Sequence, residues 1–179
     1  AFTNVAKGTF RLFSEKLPDS ARNLWHAGNV LLQKFPAEQF MVTTKLSFHP
    51  NPKLENEKAG LTIMGSSYAA IAVKNKEDGT YLVYLSAKDA GKGNKEVEKT
   101  ITKLIGGDLY LRTSITLGAK CKFSYSLDGN NFIVIGAEFI AEAGRWKGAK
   151  VGLFSTREAQ TNDAGYADFD WFRVQPVIE

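Results

Sequence analysis

Two carboxylates, Asp168 and Asp170, stand two residues apart in an aromatic-rich stretch near the end of the chain. Side chains two apart on a regular strand point the same way, with α-carbons about 6.5 to 7 Å apart. A carboxylate pair at this spacing could in principle cleave a glycosidic bond. Sandwich glycosidases usually present three or more acids in register, so structural roles are favoured. The pair would accept hydrogen bonds from Arg, Tyr or backbone donors, or hold a structural calcium.

Other catalytic groups are missing from the sequence. The two histidines, His26 and His49, fall in predicted loops with no cysteine or carboxylate at metal-ligand spacing. The chain contains no Gly-x-Ser-x-Gly, no phosphate-binding glycine loop and no nucleophile placed beside a base. Cys121 alternates with Phe123 and Tyr125, which is typical of a buried core thiol. The sequence predicts neither a catalytic site nor a required cofactor.

Aromatic side chains in loops offer a different chemistry, because exposed rings stack on the faces of sugars. Trp25, Trp146 and Tyr166 lie in or beside predicted loops. A Trp beside a loop can instead plug the end of a sandwich core, and this interpretation is favoured for Trp25. Glycines and charges flank Trp146, which favours its exposure together with Arg145. The candidates for ligand binding or for the edge of a cleft are therefore Arg145, Trp146, Tyr166 and Trp25.

The elements that must position these residues are short strands. Apolar alternation bounded by turn residues predicts strands over residues 8–13, 30–35, 40–48, 59–64, 68–74, 81–87, 98–104, 109–116, 120–127, 132–137, 150–155 and 165–174. One helical turn is predicted at 139–143. Hairpin turns are predicted around residues 65–67 and, with the strongest turn signal in the sequence, at 128–131. Strands at such even spacing indicate an all-β protein, a two-sheet antiparallel β-sandwich.

The final strand has an irregular pattern. Phe169 and Trp171 share one face, whereas Phe172 and Val174 fall on the other with the two carboxylates. A strand of this kind is either covered on both faces or carries a bulge that changes its phase. It is expected in the middle of a sheet.

Length and charge narrow the class of protein. The chain has 179 residues, which suits a single domain. Its net charge of +4 comes from 23 basic and 19 acidic residues that are interspersed, so nucleic acid is not expected as a partner. No apolar run reaches membrane-spanning length, so no membrane association is expected. The first residues contain neither Met nor a signal pattern, which predicts a piece of a longer protein.

Five motifs in order resemble a known family. They are NVLLQKFP at 29–36, EKAGL at 57–61, FSYSLDG at 123–129, VGLF at 151–154 and ADFDWF at 167–172. Together they resemble the C-terminal concanavalin A-like domain of glycoside hydrolase family 43 enzymes, of the β-xylosidase and α-arabinofuranosidase type. The resemblance runs from about Leu24 to Val174, and the last motif is its most specific part.

The resemblance implies a jelly-roll sandwich that is not itself catalytic and that packs on a five-bladed propeller carrying the catalytic carboxylates. It implies that the loop at residues 144–148 reaches the rim of the active site, and that the parent degrades xylan- or arabinan-type polysaccharides outside the cell or in the periplasm. The residues Arg145, Trp146 and Lys147 depart from the xylosidase pattern, as does an insert at 158–163. A free-standing carbohydrate-binding module or lectin that binds an oligosaccharide is the alternative.

Overall fold

The computed structural model describes residues 1–4, 8–144 and 148–177, and in these residues the chain forms fourteen strands and two short 3₁₀ helices. The strands are β1 (Phe2–Asn4), β2 (Thr9–Phe13), β3 (Glu15–Lys16), β4 (Leu31–Lys34), β5 (Phe40–His49), β6 (Lys58–Met64), β7 (Tyr68–Lys76), β8 (Gly79–Ala87), β9 (Val97–Leu104), β10 (Leu109–Thr116), β11 (Lys120–Ser126), β12 (Ile133–Ile140), β13 (Lys150–Arg157) and β14 (Tyr166–Gln175). The 3₁₀ helices are η1 (Leu24–His26) and η2 (Ala90–Lys92). Neither is long or apolar enough to cross a membrane. The predicted all-β class is confirmed.

The strands form two sheets. Sheet A has the order β1-β2-β14-β5-β10-β11-β12, and sheet B has the order β3-β13-β6-β7-β8-β9, with β4 also paired to β13. The pairing is antiparallel throughout, as predicted, except between the two-residue strand β3 and β13, which run parallel. The chain begins in sheet A with β1 and β2 and crosses to sheet B at β3 and β4. It then alternates between the sheets, with β5 in sheet A, β6 to β9 in sheet B, β10 to β12 in sheet A, β13 in sheet B and β14 in sheet A.

The main core lies between the sheets. Leu46 and Phe123 from sheet A pack with Leu61 and Ile71 from sheet B, and all four are fully buried. Cys121 belongs to the same cluster, and burial raises the pKa of its thiol to about 12. The prediction of a core thiol is confirmed.

A second apolar cluster covers the outer face of sheet B. Leu24 of η1 packs there with Tyr68, Leu85 and Phe154. The Tyr68 hydroxyl accepts a hydrogen bond from the backbone N–H of Leu24 (2.9 Å) and donates one to Glu96 (2.5 Å). Strands β6 and β7 are therefore buried on both faces, which explains why their sequence is apolar without a clean alternation.

The last strand, β14, lies between β2 and β5, inside sheet A as expected. Phe169 pairs with Leu46 and Trp171 pairs with Lys45, so Asp170 is one extra residue in the ladder. This bulge returns Phe172 to the core side, where it packs against the main cluster. Of the two predicted solutions for the irregular pattern, the bulge is the one that the strand adopts.

Several local predictions were wrong. No helical turn forms at 139–143, because β12 continues to Ile140. The pairing of β12 with β11 has an irregular register, and Gly136 of β12, with φ of 68°, accommodates it. His49 is the last residue of β5 rather than a loop residue. The short strands β1 and β3 had no prediction, and the two 3₁₀ helices form in segments that were predicted as loops.

Candidate functional site

The loop that follows β12 is fixed at its base. One oxygen of Glu142, Oε2, accepts hydrogen bonds from the hydroxyls of Ser66 (2.6 Å) and Ser67 (2.8 Å) in the turn between β6 and β7. These bonds lower the pKa of the Glu142 carboxyl. A Cβ at Gly65 would lie 1.7 Å from the carbonyl oxygen of Glu142, so only glycine permits this contact. The loop therefore starts from a rigid support.

Two of the predicted site residues belong to the segment at 144–148. Arg145 and Trp146, with Lys147, lie outside the described residues. Gly144 and Gly148 on either side belong to no strand or helix. A role of this loop at the rim of an active site stays a prediction.

Trp25 lies on the surface of η1. Its side chain is 36% exposed, whereas the adjacent Leu24 is 3% exposed and enters the second cluster. The Asn23 side chain accepts a hydrogen bond from the Trp25 backbone N–H (2.9 Å) and caps the helix. The interpretation of Trp25 as a plug is wrong, because Leu24 is the residue that fills the core there.

Trp25 and the Glu142 loop lie at the same end of the sandwich. The indole ring lies against Gly91 of η2. In the same turn, the backbone N–H of Asp89 donates a hydrogen bond to Ser67 (3.1 Å), which is also a partner of Glu142. We call this region the loop end, defined by Trp25, Ser66, Ser67, Asp89 and Glu142.

Tyr166 lies elsewhere, on the outer face of sheet A. The Arg11 guanidinium lies 3.7 Å from the centre of its ring, His49 stacks on it at 4.7 Å, and the Phe13 ring meets it edge-on at 6.1 Å. These neighbours come from β2 and β5, the strands on either side of β14. The faces of the ring are therefore occupied by protein groups and offer little area for stacking on a sugar.

The two carboxylates of β14 have cationic partners. Arg11 donates from Nε and Nη2 to the two oxygens of Asp168, both at 2.7 Å, and this pairing raises the pKa of Arg11. Lys45 lies 2.8 Å from Asp170 and 2.8 Å from Asp108. The hydrogen bond to Lys45 lowers the pKa of Asp108. The prediction that an Arg donates to this pair is confirmed for Asp168.

Comparison with known protein families and structures shows which family the chain belongs to. The sequence profile of one family, the β-xylosidase C-terminal concanavalin A-like domain, matches residues 1–175. The chain belongs to this family. The predicted family and the concanavalin A-like sandwich are both confirmed.

Individual relatives of this C-terminal domain agree with the family match. A curated β-xylosidase from Formosa agariphila is 32% identical over 157 residues, which cover 86% of this chain and 24% of that protein. The chain thus spans about a quarter of that relative. Among solved structures, a bifunctional GH43-CE protein from Bacteroides eggerthii has a TM-score of 0.78 at 23% identity, covering 97% of this chain and 22% of that one. A xylan β-1,4-xylosidase from Bacillus halodurans has a TM-score of 0.74 at 20% identity, covering 93% and 32%.

The contacts at the candidate site that sequence reasoning missed are those between residues far apart in sequence. Ser66 and Ser67 were predicted only as a turn, and Glu142 was placed in the helical turn that does not form. Arg11, the partner of Asp168, lies 157 residues away in sequence. Nothing in the local pattern indicates such long-range partners.

The two carboxylates proposed as calcium ligands, Asp168 and Asp170, are already paired with Arg11 and Lys45. Within residues 1–4, 8–144 and 148–177, no group of three or more His, Cys, Asp or Glu side chains is arranged to hold a metal ion. A calcium ion would have to displace Arg11 or Lys45 from the carboxylates.

We expect a chelator to leave the melting temperature of this domain unchanged, because Arg11 and Lys45 already balance the two carboxylates. Thermal unfolding in excess EDTA and in excess CaCl₂ measures this. A calcium-dependent rise that disappears in Asp170→Asn would contradict the expectation and establish the metal site.

Proposed function

We propose that this chain is the accessory, non-catalytic module of a family 43 glycoside hydrolase that degrades xylan- or arabinan-type polysaccharides, and that it packs on the catalytic domain of the same protein. The observation that carries the proposal is the match to a C-terminal domain family over residues 1–175, in a chain that covers 24% of a curated β-xylosidase. The other three quarters of that β-xylosidase lie outside the matched region and are available for other domains.

The chemistry of the described residues supports a non-catalytic role. A retaining or inverting glycosidase needs two carboxyl groups free to act as acid, base or nucleophile at the sugar. Both carboxylates of β14 are instead engaged with cations, Asp168 with Arg11 and Asp170 with Lys45. Both oxygens of Asp168 and one oxygen of Asp170 are therefore occupied by cationic side chains.

The finer part of the proposal concerns the loop end. The loop at 144–148 would reach the rim of the catalytic cleft and place Trp146 against the substrate. Its base supports this role, because Glu142 is held by Ser66 and Ser67 and is in contact with Gly65. A loop that positions a group in an active site gains from a fixed base, since small misplacements cost activity.

A domain exchange tests the proposal. In the exchanged enzyme, this chain replaces the matched region of the Formosa agariphila β-xylosidase. In the truncated enzyme, the matched region is absent. Hydrolysis of an aryl β-xyloside is measured for both enzymes. We expect the exchange to restore activity and thermal stability that truncation removes. We further expect Trp146→Ala to lower kcat/KM of the exchanged enzyme by ~10-fold without changing its melting temperature.

One control variant makes this test specific. Leu117→Ala removes an apolar side chain that is 60% exposed in the turn between β10 and β11, and it should leave kcat/KM unchanged. Activity of the exchanged enzyme that equals that of the truncated one would overturn the proposal. So would aryl glycoside hydrolysis by this chain alone that is abolished in Asp168→Asn.

A further inference from the structure

A cleft of about 540 Å³ lies where the chain crosses from sheet A to sheet B, between β2 and β3. Its lining includes Phe13, Glu15, Asn29, Arg157 and Asp163. Asp163 ends the insert that the sequence predicts at 158–163. We call this site the Arg157 cleft. It is separate from the loop end and from the carboxylates of β14.

Arg157 is the unusual group in this cleft. The residues before it on β13 that share its face, Val151 and Leu153, belong to the main core, so the Arg157 side chain points between the sheets at the end of that core. Two of its nitrogens, Nε and Nη1, are fully buried and have no hydrogen-bond partner among the described residues. Burying a cation without acceptors is costly, so this guanidinium is suited to an incoming acceptor.

The carboxylates near Arg157 do not neutralise it. Glu57 immediately precedes Lys58, whose pairing with Thr156 ends the ladder between β6 and β13, and its carboxylate accepts hydrogen bonds from the backbone N–H groups of Asn51 and Gly165. No carboxylate in the described residues forms an ion pair with Arg157, and this includes Glu15 in the lining of the cleft.

Asn29 adds an unused acceptor. Its side-chain nitrogen donates to the carbonyl oxygens of Phe13 (3.0 Å) and Ser155, which fixes the orientation of the amide. The opposite atom, Oδ1, is buried and has no donor among the described residues. The cleft therefore holds unsatisfied donors on Arg157 and an unsatisfied acceptor on Asn29.

We propose that the Arg157 cleft binds a neutral sugar residue of a polysaccharide. A sugar hydroxyl both accepts and donates, so adjacent hydroxyls can satisfy Arg157 and Asn29 together. The carboxylates of Glu15 and Asp163 also line the cleft, which disfavours an anionic ligand and supplies further acceptors for hydroxyl groups. The volume falls in the range of small-molecule sites.

NMR titration of the ¹⁵N-labelled chain with xylobiose, and separately with arabinobiose, tests the proposal. We expect saturable shifts of the Arg157 Nε–H and of the Asn29 side-chain amide with at least one of the two sugars. Arg157→Leu and Arg157→Lys should each weaken binding by ~10-fold or more, because both remove the guanidinium donors. The spectrum of each variant reports whether it remains folded, and the Lys variant preserves the charge.

Arg22→Leu is the matched control, because Arg22 is an exposed arginine that does not line the cleft. It should bind as the unmodified chain does. Absence of saturable shifts with both sugars, or shifts that persist in the two Arg157 variants, would overturn the proposal. Binding of glucuronate without binding of either neutral sugar would also overturn it. The inference does not depend on the proposed accessory role, since the domain exchange measures catalysis and this titration measures binding to the chain alone.

Discussion

Replacing Glu57 by Gln is expected to lower the free energy of unfolding by ~2–4 kcal/mol, although the two side chains have nearly the same shape. Glu57 is fully buried, and its carboxylate accepts the backbone N–H of Asn51 (2.5 Å) and of Gly165 (2.9 Å). These bonds join the segment after β5 to the residue that precedes β14. A Gln offers one acceptor oxygen and an NH₂ group, so one of the buried N–H groups would face a donor.

Urea unfolding at neutral pH measures this loss. The control is Glu55→Gln, which makes the same change two residues earlier at an exposed position. Surface substitutions of this kind change stability by no more than ~0.5 kcal/mol. Equal stabilities of the two variants would show that the buried carboxylate does not organise the start of β14.

Gly152→Ala is the second substitution with a large expected effect, a loss of ~3 kcal/mol. A Cβ at Gly152 would lie 1.8 Å from the carbonyl oxygen of Leu31 and 2.9 Å from the α-carbon of Leu32. Gly152 pairs with Leu32 in the ladder between β13 and β4. Because the colliding atoms belong to the backbone, no rotamer change relieves the clash, and β4 must move away from the sheet.

Thermal unfolding of Gly152→Ala should show a melting temperature lower by ~6–12 °C for a chain of this size. Gly148→Ala is the matched control, because a Cβ there has no neighbour within 4 Å and its φ is not left-handed. Its melting temperature should match that of the unmodified chain. A small effect at Gly152 would mean that β4 contributes little to sheet B.

Predictions from sequence succeeded where the signal is local. The turn at 128–131 is an example: Asp128 Oδ1 accepts the backbone N–H groups of Asn130 and Asn131, both at 2.8 Å, and Gly129 has φ of 79°. These contacts are encoded within four residues. The same holds for the hairpin of β6 and β7 and for the alternation along β5, whose register follows from one buried face.

Predictions failed where the structure depends on partners far apart in sequence. The two-residue strand β3 exists only because β13 lies beside it, and no propensity in Glu15 or Lys16 indicates it. The bulge at Asp170 could be expected as one of two solutions, but the choice depends on how β5 pairs. Arg157 Nε and Nη1, which have no hydrogen-bond partner among the described residues, have no sequence signature, because a buried and an exposed arginine look alike in a strand pattern.

The position of β14 between β2 and β5 also constrains how the molecule is made. The ribosome releases β14 after all the other strands of sheet A, so a gap remains between β2 and β5 until β14 has been synthesised. Closing that gap joins residues as far apart in sequence as Arg11 and Asp168, which are separated by 157 positions, and long-range pairing of this kind slows folding to milliseconds or seconds. Until then two complementary strand edges stay open, and these are the edges that chaperones or a neighbouring nascent chain would meet first.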